Sequence, residues 1–392
     1  MSLRLRACIV GVAAIGATIA GCSSLGYYAQ AARGQLQLLS HREPIEEVIE
    51  KPDTSEALKK TLRLVLEMRE YASSQLALPD NASYRSYVDI KRPYVVWNLF
   101  AAPEFSIEPK HWCFPFVGCL SYKGYFDEAK ARAAGSRLAA DGYDVYVGGI
   151  AAYSTLGHFD DPFLSSMLRL DEAVTAGIVF HELAHQRVYI RDDTELNEAF
   201  ASLVEEEGVQ RWLGERRGPE ALAAWRVRRE REQAFATIVD ESRTRLGALY
   251  ASALPEEEMR SRKATELDAL RARYAELKVS WGGYAGYDAW FDSGLNNARI
   301  ASVATYQRLV PALRVMLADA GDDLPRFYAD VEALGKLSAE ERGQRLEALL
   351  VRAASASLRL IRRATGDPVP STGGRAARAA WLHRPGCAAP RA

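Results

Sequence analysis

His181-Glu182-Leu183-Ala184-His185 sets two histidines four residues apart with a glutamate between them. On a helix, residues four apart sit about 40° apart around the axis and about 6 Å along it, so both imidazoles reach one ion. Glu182 then stands where a carboxylate accepts a proton from a water attacking a carbonyl. The chemistry implied is metal-assisted hydrolysis. A catalytic zinc takes three protein ligands and keeps a fourth position for water. Asn197-Glu198-Ala199-Phe200-Ala201-Ser202 begins twelve residues beyond His185 and offers Glu198 as the third ligand from a following antiparallel helix. Glu205, farther along that face, is spaced to hold a ligating imidazole in one tautomer from behind. It also belongs to a run of three acids, Glu205 to Glu207, a pattern common on solvated faces. With six histidines and 51 acids in 392 residues, chance yields such a motif about one time in a hundred, so it is read as a site.

Two helices must position these groups. Asp171 is placed to cap the first, and Val174, Ile178 and Phe180 supply apolar residues from which it can be buried. Asp193 or Thr194 can cap the second, leaving Glu198 in its first turns.

His181 to His185 followed by Asn197 to Ala201 resembles the gluzincin zinc peptidases, whose third ligand is a glutamate in an N-E-x-x-A setting. More narrowly, the chain resembles a family of bacterial lipoproteins described as zinc-dependent aminopeptidases. The matching stretches are Gly21 to Ser23, Cys113 to Phe126, Tyr153 to Leu168, the two metal helices, and Trp290 to Pro311. The resemblance implies a mainly α (α+β) fold: a gluzincin-like body, a small β-containing N-terminal lobe and a helical hairpin insertion. It also implies one zinc ion and a peptide substrate lying along an edge strand of the lobe. The gap between His185 and Glu198 is shorter than in the best-known gluzincins, so the turn joining the helices has to be tight.

A chain of 392 residues buries a large core, and 48% apolar with 26% charged residues is an ordinary globular composition. A net charge of −1 argues against a nucleic-acid binder. Arg4 and Arg6 precede an apolar run from Ile9 to Ala20, too short to span a bilayer and suited to a signal peptide over residues 1–21. Ile19-Ala20-Gly21-Cys22 resembles a lipobox, which makes Cys22 the lipidated residue. Acyl chains there would anchor the protein at about 0.8 kcal/mol per buried methylene. Ser23 in place of aspartate favours, by resemblance, the outer membrane with the body facing the periplasm. Of five cysteines, Cys113 and Cys119 suit a loop-closing disulfide in an exported protein, a metal site with His111 being the alternative.

Along the chain, residues 22–80 read as a lipidated helical segment, a hairpin standing the body off the membrane, with breaks at Pro44 and Pro52. Residues 81–157 read as a small α+β lobe. Tyr94 to Trp97 is strand-like, Asp127 caps a helix reaching Gly142, and Tyr143 to Val147 is a strand. Gly148-Gly149 and Tyr153 to Gly157, with Tyr153 and Ser154 in contact with substrate, are candidates for the substrate-pairing edge or for a tight turn. Residues 158–364 form the helical peptidase domain, with a charged hairpin at about 215–278 broken at Pro255 and projecting from the body. Trp281 to Gly286 reads as a linker or an active-site loop. Asp292 to Leu313 reads as one helix carrying Tyr306, the choice for oxyanion donor, with Asn297 and Arg299 placed to bind substrate or to cap and bridge the helix. Residues 365–392 read as a disordered tail.

The function expected is zinc-dependent hydrolysis of peptide bonds, by an aminopeptidase held at the membrane by its lipid. The resemblance alone carries the N-terminal specificity. The free amine then needs an acid, for which Glu172, Asp160, Asp161 and Glu195 are the candidates. An envelope endopeptidase and a non-catalytic zinc protein that binds a partner are the rivals.

Overall fold

The computed structural model describes residues 26–114, 118–152, 154–155, 159–303 and 308–365. The stretch expected as a signal peptide, Cys22 and the tail beyond residue 365 lie outside the described residues. The protein is mainly helical with small sheets, an α+β fold. No described helix is long and apolar enough to cross a membrane.

The chain enters through α1 (residues 26–40), β1 (Glu43–Pro44), α2 (Ile45–Glu50) and α3 (Glu56–Ser74). Ser55 caps α3 by accepting from the Leu58 N–H at 3.3 Å. Leu62, Val65, Met68 and Ala72 recur at helical spacing and are all buried. That buried face corrects the reading of a stand-off hairpin. Tyr71 on α3 packs its ring 6.1 Å from Phe180, so α3 belongs to the body's core.

The lobe holds β2 (Ser86–Val88), β3 (Val96–Pro103), β4 (Trp112–Phe114), β5 (Gly118–Leu120), β6 (Lys123–Tyr125), α4 (Glu128–Ala140) and β7 (Tyr143–Ile150). β3 lies between β6 and β7, antiparallel to both, in register from Val96 opposite Ile150 to Pro103 opposite Tyr143. Asp127 caps α4 through the Lys130 N–H at 3.1 Å. A side chain at Gly135 would meet Val145 at 3.1 Å, so the glycine lets α4 lie close on the sheet. Gly148 and Gly149 sit within β7, an edge strand, and form no turn. A Cβ on Gly149 would overlap the Tyr94 ring. β4 and β5 pair face to face, and Cys113 and Cys119 are joined there as a disulfide.

After β8 (Phe163–Leu164), which extends the β1–β2 sheet, come α5 (Glu172–Arg187) and α6 (Thr194–Arg216). These two pack antiparallel at the centre of the main core. Gly208 is what brings them close, since a Cβ there would lie 2.7 Å from the Phe180 ring. α7 (Pro219–Tyr250) and α8 (Glu256–Ser280) form the expected hairpin, with Pro255 at the entrance to its second arm. It does not project freely. Lys263 Nζ reaches Asp144 Oδ2 at 2.6 Å and the Glu104 carbonyl at 2.9 Å, fastening the hairpin to the lobe.

The stretch expected as one helix from Asp292 to Leu313 is broken into α9 (Asp288–Asp292), α10 (Asn297–Ala301) and α11 (Val310–Asp319). Gly294 adopts a φ of 87°, and Asn296 starts α10 afresh by accepting from the Arg299 N–H. α12 (Leu324–Gly335) and α13 (Ala339–Thr365) complete the chain, and α11 joins α6 in the core.

Candidate metal centre and cleft

Asp171 caps α5 by accepting from the Val174 N–H at 2.9 Å, and Asp193 caps α6 through Leu196 N–H at 3.2 Å. Between the helices runs the short turn from Val188 to Asp193. Asn197, 4% exposed, holds it from both sides: its Oδ1 accepts from Ile190 N–H and its Nδ2 donates to Ile190 O, each at 2.7 Å. This clasp sits beside Glu198 and orients the start of α6. The spacing alone did not reveal it.

His181, His185 and Glu198 converge, with one candidate ligand atom from each lying within 4.8 Å of the others. The two Nε2 atoms are 3.2 Å apart, and Glu198 oxygens lie 3.5 Å from His181 Nε2 and 3.7 Å from His185 Nε2. Ligands about 2.1 Å from a tetrahedral ion stand about 3.4 Å from one another, so these separations suit one cation. His185 Nδ1 is buried with no hydrogen-bond partner among the described residues, leaving Nε2 as its polar engagement.

His181 Nδ1 lies 3.0 Å from Glu205 Oε2, which turns its Nε2 toward the triad. Gly177 makes this contact possible, because a Cβ there would press on Glu205 Oε1 at 3.0 Å. We expect Glu205→Gln to lower metal affinity about 10- to 100-fold, measured by competition with a chromogenic chelator.

The charges are coupled. Burial opposes protonation of His181, but hydrogen bonds to Glu198 and Glu205 outweigh it and carry the imidazole up to about 10. Burial and the neighbouring His181 charge push His185 down to about 4. Glu198 is held below the usual carboxylate range: burial works against its charge, and the two imidazoles prevail. Glu182 is raised, first by burial and then by the charges of Glu198 and Asp161, with His181 and Ser154 opposing.

A cleft of about 790 Å³ opens by the start of α6, its lining stopping short of His181, His185 and Glu198. Leu120 to Tyr122 line one wall, Gln233 to Arg243 of α7 another, and Thr194 and Glu195 reach it from the first turn of α6. The hairpin, to which sequence reasoning gave no chemistry, is therefore a cleft wall. Tyr122 is half-buried in the turn between β5 and β6, and burial followed by the charges of Glu198 and Glu182 raises its phenol. No motif marks Tyr122, and it was missed.

Tyr153 and Tyr306 lie outside the described residues. Asn297 and Arg299, read as substrate contacts, are 1% and 4% exposed and are committed to the fold. Asn297 Nδ2 donates to Glu104 O at 2.8 Å and its Oδ1 accepts from Tyr250 Oη at 2.9 Å. The Arg299 guanidinium lies over the Tyr146 ring at 4.4 Å. Both brace β7 against α7 and α10. Among the acids offered for an amine, Glu172 is held by Trp212 and Arg217, and Glu195 by Arg308. Asp161 is buried and accepts from Ser154 and Thr155.

No curated protein and no solved structure matches the chain. A family model described as "Putative aminopeptidase" matches residues 26–346. That span takes in α5, α6, the lobe and the hairpin, so the chain belongs to this aminopeptidase family and its chemistry is that of a peptidase.

Proposed function

We propose that the protein is a zinc-dependent aminopeptidase anchored by lipid on Cys22 and facing the periplasm. The convergence of His181, His185 and Glu198, with Glu182 on the next residue of the same helix, carries the reading. Two imidazoles and one carboxylate are a donor set typical of catalytic zinc, which supplies Lewis acidity toward the carbonyl and lowers the pKa of water. Glu182 takes the proton of the attacking water on a carboxylate oxygen and returns it to the leaving amine nitrogen. Desolvation, which raises this carboxyl, suits a group that must hold that proton for part of the cycle. Tyr122, kept as a phenol by burial and two carboxylates, donates to the carbonyl oxygen as charge develops there. We expect Tyr122→Phe to lower kcat about 10- to 100-fold with metal content unchanged, read from steady-state kinetics and metal analysis.

N-terminal specificity requires an acid for the free amine. Asp240 on α7 lines the cleft, is exposed, and has no ion-pair partner among the described residues, whereas Glu108 faces Arg243 and Glu241 faces Arg245. Asp240 is therefore the acid proposed to meet the substrate amine. One peptide offered with free and with acetylated N-terminus tests the assignment. The parent should cleave the free form at least about tenfold faster, and Asp240→Asn should narrow that preference. Equal cleavage of both forms by the parent would make the protein an endopeptidase.

The lipid anchor and the compartment rest on the lipobox-like Ile19 to Cys22. Metabolic labelling with a clickable palmitate, lost in Cys22→Ala, tests them.

A further inference from the structure

α1 turns one face into the protein and the opposite face out of it. Gln30, Gly34 and Leu38, four residues apart, make the inner face. Gln30 Oε1 accepts from the Phe126 N–H at 3.0 Å, a Cβ on Gly34 would overlap the Phe126 ring, and Leu38 is buried in the main core. The Lys123 ammonium stands over the Tyr27 ring at 4.0 Å and ties the first turn to β6. Two residues along a helix make a rotation of about 200°, so Tyr28, Ala32 and Leu36 point the other way. All three are exposed, Leu36 at 64% and Tyr28 at 44%. Arg33 is exposed beside them and forms no ion pair among the described residues. No acid occurs from Gly26 to Arg42. Acids resume at Glu43, Glu46 and Glu47, past the end of α1, where the chain turns into β1 and α2.

Exposed apolar residues are ordinary on any protein, and what singles these out is where they stand. Cys22 precedes Gly26 by four residues, a reach of at most about 14 Å for extended chain. The headgroup region of one leaflet is only about 5–8 Å deep, so a lipid on Cys22 keeps the first turn of α1 at the membrane surface. We propose that the outer face of α1 docks flat on the phospholipid bilayer, with Tyr28, Ala32 and Leu36 entering the boundary between headgroups and acyl chains and Arg33 meeting lipid phosphates. The proposal rests on Cys22 carrying the lipid. At about 22 Å, α1 is too short to span a bilayer, and one apolar face with a cation and no acid is the pattern of a helix lying in the interface. The face is narrow, so its own hold on lipid is weak. The acyl chains make that enough, because a tethered face meets the membrane at high effective concentration. Since the inner face is fixed to Phe126 and β6, a docked α1 also sets how the lobe stands on the membrane.

The experiment uses the full chain purified from cell envelopes and reconstituted in vesicles of phosphatidylethanolamine with phosphatidylglycerol as the minor component. Leu36→Cys in a Cys387→Ser background carries a nitrobenzoxadiazole label, and mass spectrometry of the N-terminal peptide reports acyl chains in the same sample. The label should emit to the blue of its aqueous position, and lipids brominated high on their acyl chains should quench it at least about twofold. Tyr28→Glu with Arg33→Glu should return the emission toward its aqueous position and remove most of the quenching. Peptidase activity on an aminoacyl p-nitroanilide should stay at the parental level, since neither residue lines the cleft. Acyl chains on residue 22 beside a label in aqueous emission would overturn the docking and leave the anchor standing. A blue-shifted label that brominated lipid leaves bright would mean that protein covers the face, either the tail beyond residue 365 or a second copy, and would overturn the docking too. A residue 22 without acyl chains would remove the anchor itself, and the docking with it.

Discussion

Glu182→Gln should retain the parent's metal content and lose kcat by about two to four orders of magnitude. Glutamine keeps the shape of the side chain. It cannot take a proton from water at neutral pH. The loss should therefore fall on kcat, with KM little changed, because the substitution removes a proton acceptor and no part of the cleft wall. The measurement is steady-state turnover beside metal analysis of the same sample. Turnover near the parental rate in metal-replete Glu182→Gln would show that another group accepts the proton. A non-catalytic metal centre predicts a different pattern, since a parent that holds its metal but hydrolyses no peptide would leave nothing for Glu182 to lose.

The parts of this site legible in the sequence are those governed by local periodicity. His181 and His185 share a helix, so their proximity follows from a spacing of four. Asp171, Asp193, Asp127 and Pro255 announce helix starts through the chemistry of orphan N–H groups and of proline at a helix entrance. Glu198 needed one assumption beyond that, an antiparallel return after a short turn. Glu205 could be reached by carrying the same face of α6 two turns onward, although its acidic neighbours suggested solvent.

What escaped is whatever depends on contact between distant elements. Tyr122 comes from a turn in the lobe, about 60 residues before His181, where a tyrosine carries no positional signal. Ser154, read as a substrate contact, and Asp161, offered for the free amine, are joined by a hydrogen bond that no spacing announces, Ser154 Oγ donating to the buried Asp161 Oδ2 at 3.2 Å. Asn297 and Arg299 look like substrate contacts because polar residues near a site invite that reading. Their burial against Glu104 and Tyr146 shows that polar groups also join a lobe to a hairpin. The break at Gly294 was missed because the apolar spacing on either side continues in phase, and only the left-handed glycine and the Asn296 cap interrupt it. The same limit applies to the cleft. Its α7 wall reads as a charged solvated helix, and what makes it a wall is the lobe facing it, which no local pattern encodes.

His185→Ala should reduce metal occupancy from about one ion per chain to near none after dialysis, and activity should vanish with it. Zinc sites are worth about 10–16 kcal/mol over about four ligands, so one ligand is worth about 3 kcal/mol, or about two orders of magnitude in affinity. Because His185 is 5% exposed, the alanine also leaves a cavity, and the metal-free variant should melt slightly below the metal-free parent. The informative comparison is the thermal shift on adding zinc, large in the parent and small in the variant, since a ligand stabilises only the state that binds it. pH supplies an independent check. In the metal-free protein His181 is raised to about 10, so its charged form stabilises the fold fully below about 6.5, and that contribution fades as pH climbs toward 10. A metal needs the neutral imidazole and must displace that proton. Apparent zinc affinity should accordingly rise about tenfold per pH unit between about 7 and 10, with close to one proton released per ion. Calorimetry in buffers of different ionisation enthalpy measures the proton count. No proton release at pH 8 would mean that Glu198 and Glu205 do not hold a proton on His181, and the coupling drawn between these carboxylates and that ring would fail.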